Sequence, residues 1–256
     1  MFTIDRQSQI FEYLRNKKSA KITELSKLFF IGEATIRRDL KKLELQNLIK
    51  LTYGGAVLLE GLNTEIPISV RENEQSEAKE HIGALAGELV SPSDIIIIDS
   101  STTTQHIVKY LRGKENLTII TNGIKTVMAA ADTVAARIYS TGGKLRENSM
   151  SLVGQGASDY LSNFHAEKLF FSCRAIFVSD NGDAVAMDNS EDEALLRRLM
   201  IQHADKAFLL CDTTKINKKA FYRICGFENI SCLITDAQPD ERLKYALDRT
   251  KTEILY

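Results

Sequence analysis

Residues 32–45 read GEATIRRDLKKLEL. The spacing predicts a helix over about Glu33–Leu45, with Ile36, Leu40 and Leu43 on one side and Arg37, Arg38, Lys41 and Lys42 on the other. Gly32 is the expected N-cap, where glycine costs only a few tenths of a kcal/mol against serine. Upstream, Ile22, Leu25, Leu28 and Phe29 fit a second, short helix with Thr23 as its cap and Glu24 in its first turn, broken at Ile31-Gly32. Further upstream, Ile10, Phe11 and Leu14 stripe a first helix from Asp5 to about Lys17. Downstream, 48–52 and 56–59 are apolar runs joined around Tyr53-Gly54-Gly55, a strand-turn-strand signal. A short helix, a tight turn and a helix with a basic outer face make a helix-turn-helix. Its third helix would lie in the major groove, where arginine can donate two hydrogen bonds to guanine. The following hairpin is a candidate wing against the phosphates. A plain three-helix bundle is the alternative that pattern alone leaves open.

Charge agrees with a polyanion partner at one end. Residues 1–60 hold 11 Lys/Arg against 7 Asp/Glu, net +4, while the remainder holds 22 against 27, net -5. Residues 59–75 are polar and mixed, with Gly61 and Pro67, and read as a linker. The expected division is a DNA-binding domain over 1–58, the linker 59–75, and a larger domain over 76–256.

From about Ser76 the pattern becomes alternating helix and strand. Helices are expected at 76–90, 102–112, 123–131, 157–166, 190–204 and 240–249. Apolar, β-branched strands are expected at 94–99, 117–121, 137–141, 174–179, 206–211 and 231–235. Continuous apolar runs alternating with helices imply a mostly parallel sheet covered on both faces. Ligands of such sheets bind beyond the carboxyl ends of the strands.

Four strand ends carry polar or glycine turns. Asp99-Ser100-Ser101-Thr102-Thr103-Thr104 runs from a strand into a helix, and its hydroxyls, backbone N–H groups and helix dipole suit an anion such as phosphate. The blander reading is a capped helix with spare hydroxyls. Thr121-Asn122-Gly123 follows the next strand. Thr141-Gly142-Gly143-Lys144 follows the third, where paired glycines let the backbone approach a ligand. Asp212-Thr213-Thr214-Lys215 adds a cation. Each turn is weak evidence alone; converging on one rim, they make a site.

The run TIRRDL, with Arg6, Ile10 and Leu14 before it and Tyr53-Gly54-Gly55-Ala56 after it, resembles the winged helix-turn-helix of the DeoR family of repressors. Residues of about 70–236 resemble that family's effector domain at DSSTTT, TNG, GGK, Glu193 through Met200, DTTK and LITD. The resemblance implies a small winged helix-turn-helix domain followed by a larger α/β domain of sugar-phosphate isomerase type. It implies Thr35, Arg37 and Arg38 on DNA, with Lys41, Lys42, Lys50 and Tyr53 as further candidates, and Asp39 orienting an arginine or capping local structure. It implies Ser100, Ser101, Thr102 and Thr103, after Asp99, on a phosphate. Thr121 and Asn122 would lie near the sugar, with Gly142, Gly143 and Lys215 around it. Glu193 matches the isomerase base and is expected to bind rather than catalyse; pairing with Arg197 as a surface helix residue is the other reading. The sequence departs from the family at Gly32 (usually Ser), Asn47 (usually Gly), the wing residues Lys50, Leu51 and Tyr53, Ser101 (usually Gly), Ser172-Cys173-Arg174-Ala175-Ile176 and Ala184.

The expected function is a DNA-binding repressor of a carbohydrate operon, modulated by a phosphorylated sugar. It would bind double-stranded operator DNA as a homo-oligomer, dimer or tetramer. The alternatives are an isomerase-like metabolic enzyme with an accessory N-terminal domain and a winged-helix protein-interaction module. No cofactor or metal is expected: His81, His106, His165 and His203 are scattered, and no GxSxG or HExxH run occurs. Cys173, Cys211, Cys225 and Cys232 show no CxxC spacing and read as reduced, apolar thiols. No window reaches the roughly 18 apolar residues of a membrane span, and the first residues lack a secretory core, so a cytoplasmic protein is expected.

Overall fold

A computed structural model describes residues 3–46, 48–59, 66 and 68–256, with side chains from Arg6 onward. Asn47 and the linker residues Gly61 and Pro67 lie outside the described residues. The chain divides into two compact units, Met1–Glu74 and Gln75–Tyr256.

The first unit opens with α1 (Thr3–Lys17), β1 (Ser19–Lys21), α2 (Ile22–Phe29) and α3 (Glu33–Leu45). It continues with β2 (Ile49–Thr52), β3 (Gly55–Leu58) and α4 (Ile68–Asn73). Ile10, Phe11, Leu14, Leu25, Ile36, Leu40 and Leu43 meet in one core. The second helix starts at Ile22, not after a Thr23 cap, because Ser19–Lys21 pair with β3 and hold Lys21 extended. This gives a three-stranded antiparallel sheet in the order β1-β3-β2, one strand more than the hairpin read from sequence. Gly55 is required there: a Cβ would stand 2.1 Å from the Ala20 carbonyl oxygen. The chain leaves α2 through Phe30 in the left-handed region (φ 56) and enters α3 through Gly32, whose carbonyl accepts from Thr35 N and Ile36 N. Residues 68–73, expected in a linker, form α4, and Val70 completes the core.

The second unit is a doubly wound sheet. Its elements are α5 (Ser76–Glu88), β4 (Ile95–Ile98), a 3-10 helix (Thr104–Leu111), β5 (Leu117–Thr121), α6 (Ile124–Thr133), β6 (Ala136–Ser140), β7 (Lys144–Arg146) and β8 (Ser151–Val153). There follow α7 (Gln155–Leu161), β9 (Ala166–Ser172), β10 (Ala175–Val178), β11 (Ala184–Asp188), α8 (Glu191–Gln202), β12 (Ala204–Leu210), β13 (Tyr222–Gly226), β14 (Cys232–Ile234), α9 (Glu241–Thr250) and β15 (Glu253–Leu255). Seven parallel strands run in the order β15-β14-β12-β9-β4-β5-β6. The period of two sends Ile96 and Ile98 to one covered face and Ile97 to the other, each into its own core.

Two expectations need correcting. The fourth parallel strand is β9, over Ala166–Ser172, a stretch in which no strand is expected from the sequence; the helix expected to reach 166 stops at Leu161. Residues 174–179 instead enter a small antiparallel sheet, β10-β11-β13. Glu167 and Lys168 disguise β9, because its amino end reaches the surface while Leu169–Ser172 are buried. Helix 102–112 is a 3-10 helix beginning at Thr104.

Winding starts at β4, proceeds outward through β5 and β6, then returns to the other side of β4 with β9. The topological switch point is therefore between β4 and β9, the place where open sheets of this kind bind ligands. Asp99 and Ser172 stand at its two lips.

Candidate nucleic-acid interface and ligand site

In the first unit the inward side of α3 is saturated and the outward side is open. Arg37, Arg38, Lys41 and Lys42 are exposed, and Thr35 is half-buried. Arg37 meets Glu33 one turn back at 3.5 Å. Such a pair between exposed groups is worth little and leaves the guanidinium available. Lys50 is exposed on β2, and Tyr53 stands fully exposed at the hairpin tip.

Asp39, between the basic residues in sequence, points the other way. It is buried and accepts from Arg6 Nε at 2.5 Å, Arg6 Nη2 at 3.2 Å and Gln7 Nε2 at 3.0 Å. The hydrogen bond to Asp39 raises the Arg6 pKa above its ordinary value. The arginine that Asp39 orients is thus on α1, and the pair fixes α3 against α1. A second tie is Glu44 Oε1, which accepts Leu51 N at 2.8 Å and joins the end of α3 to β2. Sequence reading missed Gln7 and Glu44; neither carries a signal a surface polar residue would lack.

In the second unit the polar turns do converge on the carboxyl ends of the strands. Asp99 is buried, and both its oxygens are committed. Oδ1 accepts Ser101 N at 3.0 Å and Thr104 Oγ1 at 2.6 Å; Oδ2 accepts Ser172 N at 3.1 Å and Arg197 Nε at 2.7 Å. It ties β4 to β9 across the switch point. Ser101, in place of a glycine, keeps an ordinary φ and uses its hydroxyl to accept Thr104 N at 3.0 Å. Thr121 likewise uses its hydroxyl to accept Gly123 N at 3.0 Å. Asp99, Ser101, Thr104 and Thr121 therefore build the loops.

Other groups at the rim lack partners. Thr103 Oγ1, Asn122 Oδ1 and Ser172 Oγ are buried without a hydrogen bond. Such orphans are costly, and a ligand is one way to satisfy them. Thr102 is buried on the same loop. Gly142 (φ 64) and Gly143 (φ 107) turn the chain after β6, and both are exposed. A Cβ on Gly143 would stand 2.6 Å from the Val153 carbonyl oxygen.

Glu193 is not a surface residue. Ser190 caps α8 by accepting Glu193 N at 3.3 Å, a position from which glutamate ordinarily reaches back to the cap. Here the cap N–H goes to Asp188 Oδ1 at 3.0 Å, and Glu193 turns inward. Its Oε1 accepts Ser151 Oγ, and its Oε2 lies 3.4 Å from both Ser100 Oγ and Arg197 Nη2. Arg197 is buried among Asp99, Asp188 (2.9 Å) and Glu193. Burial disfavours its charge, but the three carboxylates outweigh burial and raise its pKa. Arg146, at the end of β7, reaches Glu193 and Asp192 at 3.8 Å each.

On the β12 side, Lys215 Nζ lies 3.0 Å from Asp212 Oδ2. Burial pushes the Asp212 carboxyl up, but Lys215, the Thr214 hydroxyl and, more weakly, buried Lys79 together hold it below its ordinary value. Arg174 contributes its backbone N to Met187 O beside the small sheet. All four cysteines are free and buried. Cys173 and Cys211 sulfurs stand 3.8 Å apart, and that contact, with burial, raises the Cys211 thiol; burial pushes Cys225 up to about 12 and Cys232 to about 11. Sequence reading missed Ser151, Asp188, Arg146 and Lys79; only the polar run after Gly143 hinted at the first.

Comparison with known proteins matches both units. Residues 6–61 match the family described as DeoR-like helix-turn-helix domain, and 74–237 match DeoR C terminal sensor domain. The chain is 35% identical over 254 residues to the uncharacterized HTH-type transcriptional regulator YulB of Bacillus subtilis (strain 168), covering 99% of this chain and 96% of that protein. It is 32% identical to the HTH-type transcriptional repressor GlcR of the same organism, covering 100% and 96%. It is 32% identical to the putative aga operon transcriptional repressor of Escherichia coli O157:H7, covering 91% and 86%.

Proposed function

The chain belongs to the DeoR family of transcription regulators, and from that premise we propose that it represses carbohydrate genes and releases them on binding a phosphorylated sugar. It is a DNA-binding regulator and not a sugar-phosphate enzyme, as its relatives' naming as regulators and repressors supports. The observation that carries the reading is α3: one side holds the core, and the other offers Arg37, Arg38, Lys41 and Lys42 to solvent. Arg37 and Arg38 read base edges, Thr35 and the lysines contact phosphates, and Lys50 and Tyr53 add the wing. Two copies reading half-sites about one helical turn apart fit a symmetric homo-oligomer. Among the described residues no helix is long and apolar enough to cross a membrane; a regulator of this kind works in the cytoplasm.

The effector sits at the switch point. Thr102, Thr103 and Ser172, with Lys215 and Lys79, supply donors and positive charge for a phosphate. Asn122, Ser100 and Glu193 face the sugar, and Gly142 and Gly143 shape the rim beside it. Linkage requires only that the bound form have lower DNA affinity; a coupling of about 1–3 kcal/mol changes affinity about 5–150-fold.

The test is binding of the purified chain to DNA from upstream of its own gene, at two salt concentrations, with Arg38→Ala as control. Specific, salt-sensitive binding that the variant loses, and that a sugar phosphate weakens, is the expected result. A folded wild type without specific binding at low salt overturns the reading.

A further inference from the structure

Phe30 is a bulky side chain at a position that ordinarily goes to glycine or asparagine. It ends α2 in the left-handed region (φ 56, ψ 43), where a Cβ is strained. Ser26 fixes this turn from both sides. Its carbonyl accepts Phe30 N and, at 3.1 Å, Ile31 N, and its hydroxyl donates to Ile31 O at 2.6 Å. Strain of this kind persists where the surroundings impose it, and it clusters at functional positions. The ring itself is 95% exposed. Beside it runs a groove of about 920 Å³ between α1, the end of α2 and α4. Leu28, Phe29 and Val70 give the groove an apolar lining, and Leu28 is exposed. Among the described residues, its one charged lining group is Glu12, which pairs with Arg15 at 2.8 Å. The basic side chains of α3 take no part in it. A surface with a carboxylate and no lining cation does not suit a phosphate backbone; it suits an apolar ring.

We propose that this patch is where two copies of the chain meet on DNA, each placing its Phe30 in the other's groove against Leu28 and Phe29. The inference rests on the reading above that two copies occupy neighbouring half-sites. A two-fold contact needs protrusion and recess on one surface, because each contact made by one copy is returned by the other. Ring and groove share one patch here. A buried phenylalanine removes about 150–250 Å² from water. Two rings and the walls that receive them therefore bury roughly 800 Å², short of the about 1,200 Å² of a stable free-standing interface. Such a contact is too small to hold two copies together in dilute solution. It counts once both stand on one duplex, where their effective concentration is about millimolar. Its effect falls on the filling of the second half-site and not of the first.

The experiment is titration of the full chain onto two duplexes made from the segment it protects upstream of its own gene. One carries both half-sites, and the other has the second half-site scrambled. Glycine is at ease at φ 56, so the urea midpoint of Phe30→Gly should equal or exceed that of wild type. Its affinity for the intact duplex should fall on the order of tenfold, while its affinity for the single half-site stays within about twofold. Leu28→Gln, on the groove side, should repeat that pattern. Variants that bind the intact duplex as wild type does overturn the proposal and leave the groove to a different protein. An equal loss on both duplexes also overturns it, by putting Phe30 on the DNA itself. A wild type that binds specifically but prefers the intact duplex no more than the scrambled one overturns it and leaves the DNA-binding reading standing. A folded wild type that binds neither duplex specifically overturns both.

Discussion

Arg37 and Arg197 show how the two units use the same side chain. Arg37 is 57% exposed, and its ion pair is a loose one to Glu33 on its own helix. Arg197 is 7% exposed and is held by Asp99, Asp188 and Glu193. The first unit keeps its charge outside and its core apolar, so recognition is layered on a fold that does not depend on it. The proposed ligand site of the second unit shares the buried network that ties α8 to β4 and β11. Changing contacts there changes structure as well, which is what a sensor requires: ligand and fold must share terms for binding to move an equilibrium.

The largest effect should come from Arg197→Met. Removing one partner from a buried ion cluster leaves the carboxylates uncompensated and costs about 3–5 kcal/mol, read as a lowered urea midpoint. Arg37→Ala should leave the midpoint within about 0.5 kcal/mol of wild type. Equal midpoints for the two variants would erase the contrast. Asp39→Ala tests the exception in the first unit. Arg6 retains 13% side-chain exposure and can reach water, so the expected cost is smaller, about 1–3 kcal/mol. It should appear as loss of helix packing before any change in which DNA sequence is preferred. Next comes binding itself: Arg37→Ala and Arg38→Ala should each weaken the specific site by about 1–3 kcal/mol. Lys50→Ala should weaken all sequences alike and reduce the salt slope by about one. A Lys50→Ala effect confined to one sequence would move that residue from the phosphates to the bases.

The same contrast explains what could be read from sequence. Ile36, Leu40 and Leu43 against Arg37, Arg38, Lys41 and Lys42 is a one-helix pattern, so α3 and its candidate contacts were legible. The parallel strands β4, β5, β12 and β14 were legible because they are continuous apolar runs, and the polar turns after β4 and β5 followed from them. β9 was not, since Glu167 and Lys168 at its exposed amino end broke the run. β1 was not, since a three-residue strand is defined by its partner Gly55–Val57 rather than by its own composition. The network around Arg197 was least legible. Asp99 and Arg197 are 98 positions apart, and only the doubly wound topology brings them together; for Glu193 and Arg197, four apart, a surface pair stayed open beside a ligand contact because nothing local says which way a helix faces.

The smallest expected effect probes a case between the two arginines. Glu80, on α5, has a side chain 37% exposed, yet it binds three groups of the 3-10 helix: Lys109 Nζ at 2.5 Å, Tyr110 Oη at 2.6 Å and His106 Nδ1 at 2.7 Å. Burial pushes its pKa up, but hydrogen bonds from Lys109, Tyr110 and His106 outweigh burial and bring it from 4.5 down to about 2. A carboxyl lowered in the folded state stabilises the fold above its unfolded pKa, and that contribution fades as pH falls from about 4.5 towards 2. Glu80→Gln removes the ionisation and most of this pH dependence. Urea midpoints of wild type and Glu80→Gln should therefore differ at pH 7 and converge through that window. A gap that stays constant to pH 2.5 would mean that the tie carries no charge-dependent stability, placing Glu80 with the solvent-screened pair of Arg37. Convergence would place it nearer Arg197, a surface contact that already works as part of the unit's structure.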